Sequence, residues 1–259
     1  MRRGRPRTPR QASPAVWALG LALLLCAPLP VQATAGQPAE YALAPISRSL
    51  DALPASWQFT TLPRSERQTR FTLVDLGWGP VLRVSAERSY GGLVHAVEAP
   101  WTAATHLRWR WRVDRAPQDV DLTRRDGDDA ALRICVLYDV PIERLALTDR
   151  LLMRAARALY RRDLPAATLC YVWAPGREGE WLDNVFASRV RVRAFHGDEA
   201  QFGMWFAEER DLHADFTAAF PREAAGGVPP ILAVSVSADT DNTGGSALAF
   251  VGDVVLSRP

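Results

Sequence analysis

The residues of this sequence best suited to binding a ligand are arginines that lie in rows along predicted strands. In HLRWRWRVD, residues 106–114, apolar and basic residues alternate, and SRVRVRA, residues 188–194, repeats the pattern. Such alternation places the two sets of side chains on opposite faces of a β-strand. The planar guanidinium group donates paired hydrogen bonds to carboxylates and sulfates. The outward-facing set would comprise Arg83, Arg108, Arg110, Arg112, Arg133, Arg189, Arg191 and Arg193.

The order of the strands decides what these arginines do. If the strands share one sheet, the arginines form a basic face that binds an anionic glycan. The alternative is a solvated face on which acids such as Glu98, Glu208 and Asp211 pair with the arginines, because like charges on neighbouring strands repel. The sequence leaves both interpretations open.

The segment DTDNTGG is the candidate metal site. Asp239 and Asp241 stand at the first and third positions of a calcium loop and Gly244 at the sixth, but Phe250 occupies the twelfth, where glutamate is needed. A helix-loop-helix calcium site is therefore excluded. A structural calcium held by Asp239, Asp241 and Asn242 stays open, as does a turn whose side chains bond their own backbone.

Paired carboxylates would give a different chemistry, the hydrolysis of a glycosidic bond. Aspartates in turns, however, usually accept hydrogen bonds from nearby backbone, so the pairing is an alternative and no specific pair is favoured. The candidates are Asp128, Asp129, Glu209, Asp211, Asp239 and Asp241.

The tryptophans divide into two groups. Trp109 and Trp111 share the strand phase of Leu107 and are expected in the core. Trp78, between two glycines, and Trp181, in GREGEWLDN, are predicted to lie in loops, where an exposed ring could stack on a sugar.

Several reaction classes are excluded by composition. The chain contains no lysine, which removes a Schiff base and a phosphate-loop lysine. The serine-hydrolase motif GxSxG and the spacing of a dinucleotide-binding loop are also lacking. The sequence therefore predicts no cofactor other than the calcium considered above.

The first 33 residues are typical of a secretory signal peptide, with a basic segment, an apolar run and small residues before Ala33. A lipoprotein anchor at Cys26 and a retained membrane helix are the alternatives. Without this segment, 26 basic residues face 29 acidic ones, a net charge of about −3, so the basic pI gives no support to nucleic-acid binding. The expected location is periplasmic or secreted, with no membrane span after cleavage.

Beyond a loose lead-in over residues 34–55, short segments of period two predict a single domain over residues 56–259. We expect an all-β, antiparallel two-sheet β-sandwich of jelly-roll type. One amphipathic helix is inserted near residues 148–162, with Leu151, Leu152, Ala155 and Leu159 in its apolar stripe. Whether Cys135 and Cys170 form a disulfide is left open.

Five segments give the chain a family resemblance. WRWRV, DGDDAALRI, YVWA, EERDLHADF and DTDNTGG follow one another in order and resemble the secreted bacterial proteins of domain of unknown function 3047. The family has no assigned activity, so the resemblance implies export and no reaction. The last segment, ALAFVGDVVLSRP, is similar to the final strand of galactose-binding-like jelly rolls, which favours a carbohydrate-binding architecture by analogy of fold.

These observations favour an exported protein that binds a glycan or another anionic envelope component. An enzyme acting on polysaccharide, either a hydrolase or a lyase, is the first alternative, and a structural envelope or interaction protein is the second. A binding module needs arginine and tryptophan in one groove, whereas an enzyme also needs two carboxylates, or an arginine with a tyrosine or histidine.

We expect the exported protein to begin at Thr34, because Val31 and Ala33 supply the small residues that signal peptidase recognises. N-terminal sequencing of protein recovered from outside the cytoplasm measures this directly. A chain that begins at an acylated Cys26 would contradict it.

Overall fold

A computed structural model describes residues 43–61, 67–98, 105–160, 164–174 and 178–257. The predicted signal segment lies outside these residues. Within them the protein is mainly β, with helices α1 (Leu147–Tyr160), α2 (Leu212–Ala219) and α3 (Pro221–Ala224) and short 3-10 helices at Ile46–Arg48, Ile142–Arg144 and Glu199–Gln201. The strands are β1 (Trp57–Thr60), β2 (Arg70–Asp75), β3 (Pro80–Glu87), β4 (Tyr90–Ala96), β5 (His106–Arg115), β6 (Ala130–Tyr138), β7 (Ala167–Trp173), β8 (Trp181–Asp183), β9 (Val190–Ala194), β10 (Phe206–Asp211), β11 (Ile231–Asp239), β12 (Ser246–Val251) and β13 (Val255–Ser257).

The strands form two sheets, which confirms the predicted sandwich. The first sheet has the order β1-β4-β11-β6-β7-β9-β8, and the second has the order β10-β5-β12-β3-β2, with β13 also paired to β5. Neighbours are antiparallel except β7 and β9, which run parallel. The sheets are thus antiparallel as predicted, with one parallel pair that the sequence did not indicate. The jelly-roll connectivity stays a prediction.

The core lies between the two sheets and is rich in aromatic rings. Trp111 is fully buried and Trp109 is 3% exposed, as their strand phase predicted. Trp109 lies 5.2 Å from Tyr171 between ring centroids, and Trp111 lies 5.7 Å from Trp173. Because these pairs join β5 of one sheet to β7 of the other, they hold the two layers together.

A second apolar layer covers the opposite face of the seven-stranded sheet. It includes Val190 and Val192 of β9, together with Leu122 from the loop before β6. Cys135 and Cys170, directly opposite each other on β6 and β7, form a disulfide in this layer. Both faces of this sheet are thus buried near its centre, which explains why β6 and β7 carry almost continuous apolar sequence.

Helix α1 points its apolar stripe away from the protein. Leu151 and Leu152 are exposed, whereas Arg150 and Arg157 turn toward the body and donate to the backbone carbonyls of Glu143 and Leu164. None of the helices in the described ranges combines the length and the apolarity that a membrane crossing requires.

The described part of the lead-in is packed, in contrast to the loose segment expected. Ile46 is fully buried in the core and Leu43 nearly so. The Trp57 indole donates to the carbonyl of Ala44, and the Ser47 hydroxyl donates to Asp253 at 2.6 Å. Alanine and proline content predicted mobility here, but two apolar side chains suffice to fix the segment.

We predict that Trp111→Ala lowers the free energy of unfolding by about 3–5 kcal/mol, because a fully buried indole is replaced by a cavity. Denaturant unfolding gives the value. Trp78→Ala is the matched control, since Trp78 is 84% exposed and its loss should change stability by less than about 0.5 kcal/mol. Equal losses for the two variants would contradict the core assignment.

Candidate functional site

The arginine row of β5 lies on the outer face of the six-stranded sheet. Arg108 contacts Glu209 at 2.7 Å, and Arg112 forms two hydrogen bonds with Asp114, at 2.6 and 2.8 Å. Arg110 lies over the Trp205 ring, with 5.3 Å between its guanidinium carbon and the ring centroid. Two arginines of this row therefore have acidic neighbours, as the solvated-face alternative requires. Ligand binding by this row stays a prediction.

The arginine row of β9 lies in the other sheet, so the single arginine face envisaged from the sequence does not form. In β9 it is the valines that face the outer layer, and Arg191 and Arg193 share the inner face of Leu169 and Tyr171 on β7. The predicted alternation of β9 was correct, but the arginines were assigned to the outer face and the valines to the inner face, which is the reverse of the structure.

The inward β9 arginines are partnered by acids and aromatic rings of the helices beside them. Arg189 contacts Glu223 of α3 at 2.8 Å. The guanidinium groups of Arg189 and Arg191 lie 5.0 and 4.9 Å from the centroid of the Phe220 ring. Glu223 and the ring of Phe220, which lies between α2 and α3, thus allow these arginines to turn toward the interior. Arg191 also contacts Asp183 of β8 at 3.0 Å.

Arg133 occupies a third environment, a buried acidic cluster on the outer face of the seven-stranded sheet. It is 3% exposed, with Asp128 at 3.3 Å and Asp239 at 3.5 Å. Asn184 donates to the other oxygen of Asp128 at 2.8 Å. Burial raises the pKa of the Asp128 and Asp239 carboxyls, while the charge of Arg133 acts to lower it. The cluster joins DGDDAALRI to DTDNTGG, two segments far apart in the sequence.

Asp129 fixes the turn that the sequence marked as a metal candidate. One of its oxygens accepts from the backbone and side-chain amides of Asn242, and the other accepts from the backbone and hydroxyl of Thr243. Carboxylate oxygens of Asp129, Asp239 and Asp241 lie within 4.8 Å of one another. These three carboxylates are the oxygen ligands that a calcium ion would use. The side-chain amide of Asn242 instead donates a hydrogen bond to Asp129. Calcium binding stays a prediction.

The exposed edge where the two sheets meet gathers a different set of side chains, which we call the edge seam. It consists of the inner faces of β8, β9 and β10, the residues following β9, and Asp215 of α2. Its members are Trp181, Arg193, Phe195, His196, Glu208, Arg210 and Asp215. The register of β8 on β9 and of β10 on β5 places Trp181, Arg193, Glu208 and Arg210 toward the same interlayer space.

Asp215 is the centre of the edge seam. Its carboxylate accepts two hydrogen bonds from Arg210 and one from the Tyr171 hydroxyl at 2.8 Å, and it lies 3.7 Å from Arg193. Two half-buried arginines thus share one buried carboxylate, which leaves a positive charge uncompensated by this contact.

Aromatic rings line the same space. The Arg193 guanidinium lies 5.5 Å from the Trp181 centroid and 5.9 Å from that of Phe195, and Arg210 lies 5.7 Å from Phe195. The indole N–H of Trp181 and the Nε–H of Arg193 are two of eleven buried side-chain polar atoms in the described ranges that have no hydrogen-bond partner. Both could donate to an oxygen atom, but such atoms also occur in the core and do not by themselves mark a ligand site.

Glu208 and His196 form the second polar pair of the seam. The Glu208 carboxylate lies 2.7 Å from His196 Nε2 and accepts from the Trp111 indole at 3.3 Å. His196 stacks on Phe206, with 3.9 Å between ring centroids. The pair is partly exposed and bridges the two sheets.

Of the sequence-predicted site residues, the structure brings Trp181 and Arg193 into the edge seam and places the others elsewhere, Arg191 beside Phe220 and Asp183. Trp181 lies in the short strand β8, not in a loop, whereas Trp78 is in the β2–β3 turn as predicted. Of the candidate carboxylates, Glu209 pairs with Arg108 and Asp211 caps α2. Sequence reasoning missed Arg210, His196 and Asp215, although RDLHADF contains two of them and the i, i+5 spacing of Arg210 and Asp215 spans a strand-to-helix junction.

A family model described as Protein of unknown function (DUF3047) matches residues 55–255, which confirms the resemblance seen in the sequence motifs. No curated protein sequence matches the chain.

Several solved structures are similar to parts of the fold. The glycoside hydrolase domain of Endo-D from Streptococcus pneumoniae R6 is 10% identical, with a TM-score of 0.35 over 78% of this chain and 21% of that chain. The active domain of tailspike protein 4 of bacteriophage CBA120 is 7% identical, with a TM-score of 0.40 over 84% and 21%. Endoglucanase 3 of Trichoderma harzianum, from family GH12, is 8% identical, with a TM-score of 0.39 over 80% and 99%. The chain spans about a fifth of the first two structures, and these similarities carry no inference about function.

We predict that Arg133→Met lowers the free energy of unfolding by about 3–5 kcal/mol, because it leaves Asp128 and Asp239 buried without their cation. Adding Asp239→Asn to this variant should recover part of the loss, since it removes one of the uncompensated charges. Denaturant unfolding gives the free energy of unfolding of the parent, the two single variants and the double variant, which together form a double-mutant cycle. The exposed Arg83→Met, expected to be nearly neutral, is the control. Additive effects at Arg133 and Asp239 would contradict the coupling.

Proposed function

This chain belongs to the family described as Protein of unknown function (DUF3047), and because that description names no activity, we propose a function from the site itself. The protein is an exported glycan-binding module that recognises acidic sugars at the edge seam. The observation that carries the proposal is the sharing of Asp215 by Arg193 and Arg210, beside the half-buried ring of Trp181.

Each part of the seam suits a component of an acidic sugar. A sugar carboxylate or sulfate would compensate the positive charge left by two arginines on one carboxylate. The Trp181 ring offers an apolar surface to the ring of the sugar, and its indole N–H suits a hydroxyl acceptor. Asp215 is almost fully buried and is engaged by Tyr171 and Arg210, so its role is to orient the arginines.

The Glu208 and His196 pair favours one second candidate, an enzyme that cleaves polysaccharide. A carboxylate 2.7 Å from an imidazole, beside two arginines, could move a proton. Tyr171 does not complete such a site, because burial raises the pKa of its phenol well above the usual value and its hydroxyl already donates to Asp215. Binding without cleavage is therefore the better supported function.

We predict that Arg193→Gln weakens binding of a uronic-acid or sulfated glycan about tenfold, because a charge-assisted hydrogen bond is lost. Trp181→Ala should weaken it to a similar degree, and the affinity of the parent should fall as salt rises. A glycan array of the mature chain, with and without calcium, identifies the ligand. Titration calorimetry then compares the variants.

Arg110→Gln and Trp78→Ala are the matched controls, since each changes the same residue type away from the seam. Loss of binding in Arg110→Gln but not in Arg193→Gln would transfer the site to the β5 row and overturn the seam. A parent that binds no acidic glycan contradicts the proposal and favours a structural role. Shortening of the glycan by the parent, abolished in Glu208→Gln, would favour the enzyme.

A further inference from the structure

Helix α1 carries an apolar surface that faces solvent. Leu147, Leu151 and Leu152 are 68%, 57% and 65% exposed. Leu147, Leu151, Ala155 and Ala158 follow one another at spacings of four, four and three residues, so they lie on one side of the helix. Three of the eight large exposed apolar side chains in the described ranges thus fall within two turns of one helix.

The helix is fixed in this orientation by its other face. Met153 is buried against the core. The Arg150 guanidinium donates to the carbonyls of Glu143 and Leu145, at 2.6 and 3.3 Å, and Arg157 donates to that of Leu164 at 2.9 Å. Rotating the helix to bury its leucines would break these bonds and expose Met153. Burial of these leucines therefore requires a binding partner from outside the described fold.

The charge beside the stripe indicates which partner fits. Residues 150–162 contain five arginines and no acidic residue. On a helical wheel Arg150, Arg154 and Arg157 follow one flank of the stripe, and Arg154 is exposed. The acid of the first turn, Asp149, lies 3.5 Å from Arg189. The surface is therefore apolar in its middle and cationic along one side.

We infer that α1 binds the surface of an anionic phospholipid membrane. An amphipathic helix with an apolar face and an arginine-rich flank lies in the plane of the bilayer interface, with its leucines among the headgroups and upper acyl chains. The exposed Arg154 then faces lipid phosphates, and Arg150 and Arg157, whose partners are neutral carbonyls, add positive charge beside it. A second copy of the chain fits less well, because pairing two such helices would bring their arginine flanks together.

Flotation of the mature chain with vesicles tests the inference. The parent should bind vesicles of equal parts phosphatidylcholine and phosphatidylglycerol, and bind vesicles of phosphatidylcholine alone about tenfold less well. The double variant Leu151→Gln/Leu152→Gln should lose about tenfold or more in partitioning to the anionic vesicles, and Arg154→Gln should show a smaller loss. Leu50→Gln is the matched control, since Leu50 is an exposed leucine outside α1.

Unchanged melting temperatures would show that the variants are folded, as expected for exposed positions. A parent that does not float with anionic vesicles overturns the inference, as does a double variant that floats like the parent. A dimer seen by light scattering and lost in the double variant would assign the stripe to a second copy instead. Glycan binding at the edge seam is measured separately, so neither result depends on the other.

Discussion

The compensation of buried arginines by carboxylates is the constraint on which the rest of this structure depends. Four arginines that are buried or partly buried each contact a carboxylate of the protein. Arg133 has Asp128 and Asp239, Arg189 has Glu223, and Arg193 shares Asp215 with Arg210. An uncompensated charge at these depths would cost several kcal/mol, about as much as the net stability of many domains.

The same constraint gives different roles to the two polar centres, the cluster around Asp129 and Arg133 and the edge seam. Asp129 and Arg133 join two loops through hydrogen bonds and ion pairs made within the protein, so this centre stabilises the end of the sandwich, although the Nε–H of Arg133 and one oxygen of Asp239 have no hydrogen-bond partner there. At the edge seam Arg193 and Arg210 share the carboxylate of Asp215, whereas Glu208 lies beside His196, and both arginines are only half-buried. Partial exposure at the edge, and not a difference in hydrogen bonding, is what leaves room for a ligand there.

The alternation of apolar and polar residues predicted where the strands lie, but not what each face of a strand packs against. Period-two alternation located β5, β6 and β9, because it depends only on neighbours along the chain. It could not show that Val192 faces an outer apolar layer, since that layer combines residues of other strands, such as β6 and β7, with Leu122 of the loop before β6. The three-residue strand β8 was missed because so short a segment has no measurable period. The outward stripe of α1 reverses the usual direction of a helical apolar face, as the exposure of its leucines and the contacts of Arg150 and Arg157 show.

The disulfide between Cys135 and Cys170 has a consequence for the resistance of the protein to proteolysis. It joins neighbouring central strands across a separation of 35 residues, and helix α1 lies wholly within the loop that it closes. A protease that cuts this exposed excursion would leave the two pieces covalently linked and the strands still paired. A cut within the leucine-rich helix would therefore not separate the two parts of the chain.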